Sequence, residues 1–272
     1  MNSVIESWVL PVDKKCVRAS FSRAALSYDN FAALQQLVAD TLLMRLQALN
    51  YFPTKSILDL GAGTGYCGGH LTRYAESVIE LDIAAAMLSF SRQRATPNVF
   101  HLCGDAESIP LADSSVGLIF SNLAFQWCFD LDRLFAEIFR VLMPGGKLIF
   151  SSFGPRTLSE LRSAWATVDD YSHVNRFYPI SVISESMLDA GLVECHLESE
   201  INDLAYDNVM QLMLELKAIG AHNMTDDRSR GLTGKQMVSR MTAAYQELMT
   251  GADIIATFDV VYACAARPGL DR

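Results

Sequence analysis

The chain has 272 residues, half of them hydrophobic, and a formal net charge of −9. That length suits one large α/β domain with additions, or two small domains, and the composition allows a large core. The acidic balance excludes general nucleic-acid binding, which needs a basic face. No apolar run approaches the ~20 residues of a transmembrane helix, so no membrane association is expected.

The N-terminus, MNSVIESWVLPVDKK, has no basic stretch ahead of its apolar one, which argues against a secretory signal and for a cytoplasmic protein. The six cysteines and five histidines are scattered, with no CxxC and no His/Cys pairing at ligand spacing. They read as reduced core residues, and no metal site is expected. Residues 13–29, DKKCVRASFSRAALSYD, form the most basic stretch of the first half, with Phe21 and Tyr28 among small residues. An imperfect apolar stripe then predicts a helix from Asn30 to Ala48, which Pro53 breaks.

The segment KSILDLGAGTGYCGG, residues 55–69, reads as strand, tight turn and helix, with the strand over Ile57–Leu60 and the helix from about Tyr66 to Tyr74. Gly61, Gly63 and Gly65 lack a Cβ, so the turn can adopt positive φ and a ligand can lie against bare backbone. The helix behind it directs free N–H groups to the same place. The dinucleotide fingerprint GxGxxG requires a third glycine at Tyr66, where a bulky ring stands, so the spacing is GxGxG instead, preceded by Asp59.

A second strand over Ser77–Leu81 ends at Asp82, about 20 residues past the first glycine, where a carboxylate can accept both hydroxyls of a ribose. It can also cap the helix Ile83–Arg94. A third strand over Asn98–Cys103 leads into Gly104-Asp105-Ala106-Glu107, and a fourth over Val116–Phe120 leads into SNLAFQW, residues 121–127. The latter lies at the carboxyl end of a central strand, where open α/β sheets bind ligands. The helix Leu131–Val141, the turn Pro144-Gly145-Gly146 and the strand Lys147–Ser152 complete a strand–helix series that implies a parallel, doubly wound sheet. Beyond it, helices are predicted over Arg156–Val168, Ser181–Ala190 (stopped by Gly191), Asp207–Ile219 and Lys235–Met249. Strands are predicted over Val193–Ile201 and Ile254–Ala265, with a loop over Asp169–Pro179.

The string LDLGAGTG resembles motif I of class I S-adenosylmethionine-dependent methyltransferases, and FRVLMPGGKLIFSSF is similar to the helix, turn and fifth strand of that superfamily. DKKCVRASFSRAALSYDNFAALQ, SNLAFQW, FGPRTLSELRSAW, HVNRF and LKAIGAHN…RGLTG narrow the resemblance, over nearly the whole chain, to the malonyl-acyl carrier protein O-methyltransferases of biotin synthesis. The resemblance implies a Rossmann-like, seven-stranded α/β sheet, mostly parallel with an antiparallel last strand and helices on both faces. It implies a single methyltransferase domain over 1–272, with an N-terminal helical lid (1–50), a cofactor core (55–152) and substrate- and carrier-facing insertions and helices (153–250).

The implied reaction moves a methyl group from S-adenosyl-L-methionine to the free carboxylate of malonyl-acyl carrier protein, leaving S-adenosyl-L-homocysteine. The ester masks a charge that apolar elongation sites would not tolerate, so the chain can be extended to a pimeloyl methyl ester. The alternatives are methyl transfer to a free small carboxylic acid, and a cofactor-binding scaffold without activity. A malonyl carboxylate is already ionised at neutral pH, so no general base is required; positioning and water exclusion must supply the rate.

For the cofactor, the resemblance implies Tyr28, Asp59, Gly61, Ala62, Gly63 and Gly65. It adds Asp82 for the ribose, Asp105 and Ala106 for the adenine, Asn122 for the methionine part, and Ile83, Met87 and Leu123. For the acceptor it implies Phe21, Arg23, Gln126, Trp127, His173, Asn175, Lys217, His222 and Asn223. Bidentate arginine suits a carboxylate, and among Arg23, Arg156, Arg176 and Arg230 the clamp is assigned to Arg156 and Arg176. Lys14, Lys15, Arg18, Lys217, Arg228 and Lys235 are read as a carrier-docking face. Phe21 and Tyr28 are read either as a lid over the cofactor or as packing of the first helix. A monomer is expected.

Overall fold

A computed structural model describes residues 13–49, 54–94, 96–221, 223, 234–249, 251 and 253–270. Its centre is a seven-stranded sheet of order β3-β2-β1-β4-β5-β7-β6. The strands are β1 (Thr54–Leu60), β2 (Ala75–Asp82), β3 (Val99–Cys103), β4 (Val116–Ser121), β5 (Leu142–Phe153), β6 (Val193–Tyr206) and β7 (Ile254–Ala266). β1 pairs in parallel with β2 and β4, and β7 is antiparallel to both β5 and β6. The expected sheet, with an antiparallel last strand, is therefore present. Strand order reverses between β1 and β4, so the loops leaving these two strands diverge and open a crevice at their carboxyl ends.

The helices are α1 (Lys14–Ala24), α2 (Tyr28–Phe31), α3 (Ala33–Ala48), α4 (Gly68–Leu71), α5 (Ala85–Ser91), α6 (Leu131–Val141), α7 (Ser159–Ala166), α8 (Ile180–Asp189), α9 (Val209–Ala218) and α10 (Lys235–Leu248). One face of the sheet packs on α3, α7, α9 and α10 through Leu42, Leu161, Leu212 and Tyr245. The other packs on α6 and α8 through Phe135, Ile138 and Met187. Caps start several helices where the sequence has a short polar side chain. Asp13 accepts from the N–H of Lys15 at 2.8 Å, Asp130 from Arg133 at 2.9 Å, and Asn208 from Gln211 at 3.0 Å.

Several expected boundaries move. The helix expected over Tyr66–Tyr74 shrinks to the single turn α4, because Gly68 and Gly69 are poor helix formers. The single helix expected from Asn30 is split by Ala32 into α2 and α3. The helix expected from Arg156 starts at Ser159, because Leu158 sits in left-handed backbone at φ +55°. β5 begins at Leu142, already paired with Val116, and the Pro-Gly-Gly segment lies inside it at a shift of register. Among the described residues, no helix is long and apolar enough to cross a membrane.

Candidate active site

The crevice at the strand-order reversal is a cleft of about 910 Å³. Its floor is the turn after β1 and the loop after β4, which meet closely. A Cβ on Gly61, at φ +81°, would collide with the Cβ of Ala124. Gly63, at φ +57°, faces open space within 4 Å, so its bare backbone is the part of the turn a ligand can approach. Gly65 is not among the described residues lining the cleft; it backs onto Ser91 and Glu80.

Asp82, at the end of β2, lines the cleft and accepts from the N–H of Gly63 at 3.0 Å and of Ala84 at 2.7 Å. It thus braces the glycine turn and caps the chain entering α5. Burial pushes its pKa up to about 6, against the two N–H bonds that favour the ionised form. Ile83, Met87, Ala106, Asn122 and Leu123 also line the cleft. Asn122 donates to the Gln35 carbonyl at 3.0 Å and accepts from Ser151 Oγ at 2.8 Å, and Leu123 is held at φ +49°. Gln126 is buried, with Nε2 donating to the Leu123 carbonyl at 2.5 Å.

The roof comes from the N-terminal helices. Phe21 packs edge-on to Trp127, ring centres 5.3 Å apart, and Tyr28 lies 6.5 Å from Phe21. Burial, then the negative charge of Asp82, pushes the Tyr28 hydroxyl well above its ordinary pKa. Ser20 and Ser27 donate to the carbonyls of Gly220 and Ala218, each at 3.2 Å, joining the roof to the end of α9. Asp29 accepts from Thr64 Oγ1 at 2.6 Å and Arg94 at 2.8 Å, joining it to the glycine turn. Phe21 and Tyr28 therefore both pack and cover.

Lys14 does not face outward as part of a docking surface. Its Nζ enters the cleft and contacts Asp105 and Glu107, each at 2.6 Å. Burial opposes its charge, but the hydrogen bonds to both carboxylates outweigh it and hold the ammonium above its usual pKa. Asp105 lines the cleft as expected, with its oxygens engaged by Lys14 and the Glu107 N–H.

A smaller cavity of about 440 Å³ lies against the other side of the turn, lined by Tyr28, Gln35, Asp59, Ala62 and Asn122 among others. Asp59 is 2% exposed. Burial, then Glu80 and Asp82, raises its pKa well above the usual carboxylate range. Its Oδ2 and the Oε1 of Gln35 are buried acceptors without a protein partner. Two orphaned acceptors beside one small cavity fit an ammonium group. With the open face of Gly63 and the carboxylate of Asp82, the residues present fit S-adenosylmethionine: an amino-acid end at Asp59 and Gln35, a ribose at Asp82.

A third cavity, about 870 Å³, adjoins the cleft and shares Gln35, Trp127, Phe153, Ile219 and Ala221 with it. Its walls are mostly apolar, with Leu158, Leu161, Trp165, Phe177, Met213 and Phe258. His173, Asn175 and Asn223 supply polar groups to its lining. His173 stacks on Trp165 (3.8 Å, 7°) and its Nε2 lies 2.8 Å from Asp169 Oδ1. Asn223 donates to the Ser172 carbonyl at 2.5 Å.

The arginine assignments do not match the geometry. Arg156 is 63% exposed, lines none of these cavities and leans on Asp259, its backbone N–H 3.2 Å and its Nε 3.5 Å from Oδ2. Arg176, Arg23 and Lys217 are likewise exposed and outside the cavity walls. An acid more than a hundred positions along the chain claims Arg156, which no local string reveals. His222, Arg228 and Arg230 lie outside the described residues. Sequence reasoning missed Gln35, which lines all three cavities, and Trp165 and Phe153. Gln35 closes the string DKKCVRASFSRAALSYDNFAALQ, but its place in a helical pattern gives no sign that it faces a cavity.

This crevice, with its glycine turn and paired carboxylates, has the form of a methyltransferase domain, and the family model described as "Methyltransferase domain" matches residues 58–150. The YcgJ protein from Bacillus subtilis superposes with a TM-score of 0.62 at 18% identity, covering 84% of this chain and 99% of that one. Phosphoethanolamine N-methyltransferase 2 of Haemonchus contortus, solved in complex with S-adenosyl-L-methionine, superposes at 0.55 and 17% identity, covering 91% and 57%. These likenesses show the fold. Malonyl-[acyl-carrier protein] O-methyltransferase from Nitrosospira multiformis is 43% identical, over 94% of this chain and 90% of the relative. The chain belongs to the malonyl-[acyl-carrier protein] O-methyltransferase family.

Proposed function

We propose that this protein methylates the free carboxylate of a malonyl group carried as a thioester on acyl carrier protein, with S-adenosylmethionine as methyl donor. The observation that carries the reading is the junction of two cavities. A cleft with carboxylates for a nucleoside opens, at Gln35, Trp127 and Phe153, onto a second, mostly apolar chamber with a few fixed polar groups. When bound, S-adenosylmethionine supplies an electrophilic methyl group. The chain's own residues bind and screen. Asp82 accepts from the ribose, Asp105 from the adenine amino group, and Asp59 with Gln35 from the α-ammonium. Phe21, Tyr28 and Trp127 keep water from the junction, which strengthens every charge interaction inside it.

A carboxylate acceptor is ionised at neutral pH and needs no base. The relative from Nitrosospira multiformis carries the same activity in its name over nearly the whole chain length, which supports the acceptor. Incubation with S-adenosylmethionine and malonyl-acyl carrier protein, followed by mass spectrometry of the carrier, tests the reading. The carrier gains one methyl group. Equal turnover of free malonate and malonyl-carrier would move the assignment to a free small acid.

A further inference from the structure

The chamber poses an electrostatic problem. Taking a carboxylate into apolar walls without a counter-charge costs several kcal/mol. Arg156 and Arg176 stand outside those walls, and Lys14 is committed to two carboxylates at the far end of the cleft. Among the described residues of the chamber, His173 alone can carry a positive charge. Its placement is specific. The ring is clamped flat on Trp165, and Nε2 reaches Asp169 Oδ1 at 2.8 Å. A carboxylate only accepts, so Nε2 carries the proton. Nδ1 is then the ring's remaining polar atom, and no partner holds it among the described residues. Asp169 Oδ1 also takes the N–H of Tyr171 at 3.0 Å, while its buried Oδ2 has no partner. Among the described residues Asp169 forms no ion pair with a lysine or arginine, and the face of Trp165 attracts a cation.

We propose that His173, as an imidazolium, receives the acceptor's carboxylate through Nδ1–H and selects malonyl over uncharged acyl groups, with Asp169 as the positioning residue. This rests on the reading of the chamber as the acceptor site. A neutral ring with its proton on Nε2 would present a lone pair at Nδ1 and repel a carboxylate, so the two acids, Asp169 and substrate, bracket one cation.

Calorimetry in the presence of S-adenosylhomocysteine compares malonyl-carrier with acetyl-carrier, which lacks the carboxylate. The wild type should prefer malonyl-carrier. His173→Gln should weaken malonyl-carrier about 10- to 100-fold, the usual worth of a charged hydrogen bond, and leave acetyl-carrier and S-adenosylhomocysteine affinities in place. In turnover, the loss should fall mainly on KM. Asp169→Asn keeps a side chain of the same shape, removes the charge, and should give the same selective loss to a smaller degree; it also serves if His173→Gln does not fold. A His173→Gln protein that keeps the malonyl preference overturns the proposal, most plainly if Arg228→Gln or Arg230→Gln then abolishes it. Equal loss of both carriers overturns it too, since that marks a structural role. A wild type that methylates no carrier removes the underlying reading instead, which is a separate result.

Discussion

Asp82 works against its own burial. The N–H groups of Gly63 and Ala84 favour the carboxylate, yet desolvation leaves its pKa at about 6. Ribose hydroxyls donate to the ionised form, so cofactor binding must expel any proton first. Affinity for S-adenosylhomocysteine should therefore fall as pH drops below about 6, roughly tenfold for each unit beyond it. The linkage to stability has the opposite sense. A raised carboxyl pKa favours the unliganded fold at low pH, and that contribution is lost as pH rises through about 6. Asp82→Asn should weaken binding by about 1.5–3 kcal/mol at pH 7.5 and flatten the pH dependence. Calorimetry across pH 5 to 8 checks both, and a variant that keeps the wild-type slope assigns the titration to another group. At this scale the cleft-lining residues Asp82, Asp105 and Asn122 were legible because each stands at or just past a strand end in a short string. The acceptor's cation was not, since the partner that holds Arg156 is Asp259 and the ring that holds His173 is Trp165.

The helix α1 is seated by an ion cluster, by small apolar contacts and by the hydrogen bond from Ser20 to Gly220. Ala24, Ala25, Ala84 and Met87 pack it on α5, and Lys14 anchors its first turn on Asp105 and Glu107. Glu107 is only 7% exposed at its side chain and also accepts from the N–H of Phe129 at 2.8 Å. Removing Lys14 would leave a buried carboxylate beside a second one. Lys14→Met should therefore cost about 1–2 kcal/mol, below the figure for a fully buried pair because Lys14 is partly solvated. The loss should be local. Limited proteolysis without cofactor should cut within Lys14–Ala24 faster than in the wild type, while the sheet core resists. Unchanged cleavage would mean that the apolar contacts and the Ser20 hydrogen bond seat the helix without Lys14. The sequence made the strands and most helices readable through apolar runs and capping residues. It did not show that separate strings, from Gln35 through FGPRTLSELRSAW and HVNRF to Phe258, close around one chamber, because their meeting is tertiary.

Two apolar cores flank one sheet, and the cleft draws on the whole assembly. Its lining comes from the ends of β1, β2 and β4, from α1 and α3, and from Ile219 and Ala221 past α9. Ser20 and Ser27 tie the N-terminal helices to that last segment across about two hundred positions. A ligand in the cleft therefore touches both ends of the fold, and its binding energy is shared by the chain as one cooperative unit. At a hundredfold excess over Kd, a ligand that binds only the folded state stabilises it by about 2.7 kcal/mol. For a chain of this size that corresponds to a rise in Tm on the order of 5 to 10 °C. Differential scanning calorimetry with S-adenosylhomocysteine should show a single transition moving as a whole, and Asp82→Asn should move less at the same ligand concentration. Two transitions, only one of which shifts, would show that the helices covering the cleft melt independently of the sheet. In that case the hydrogen bonds from Ser20 and Ser27 do not couple the roof to the body.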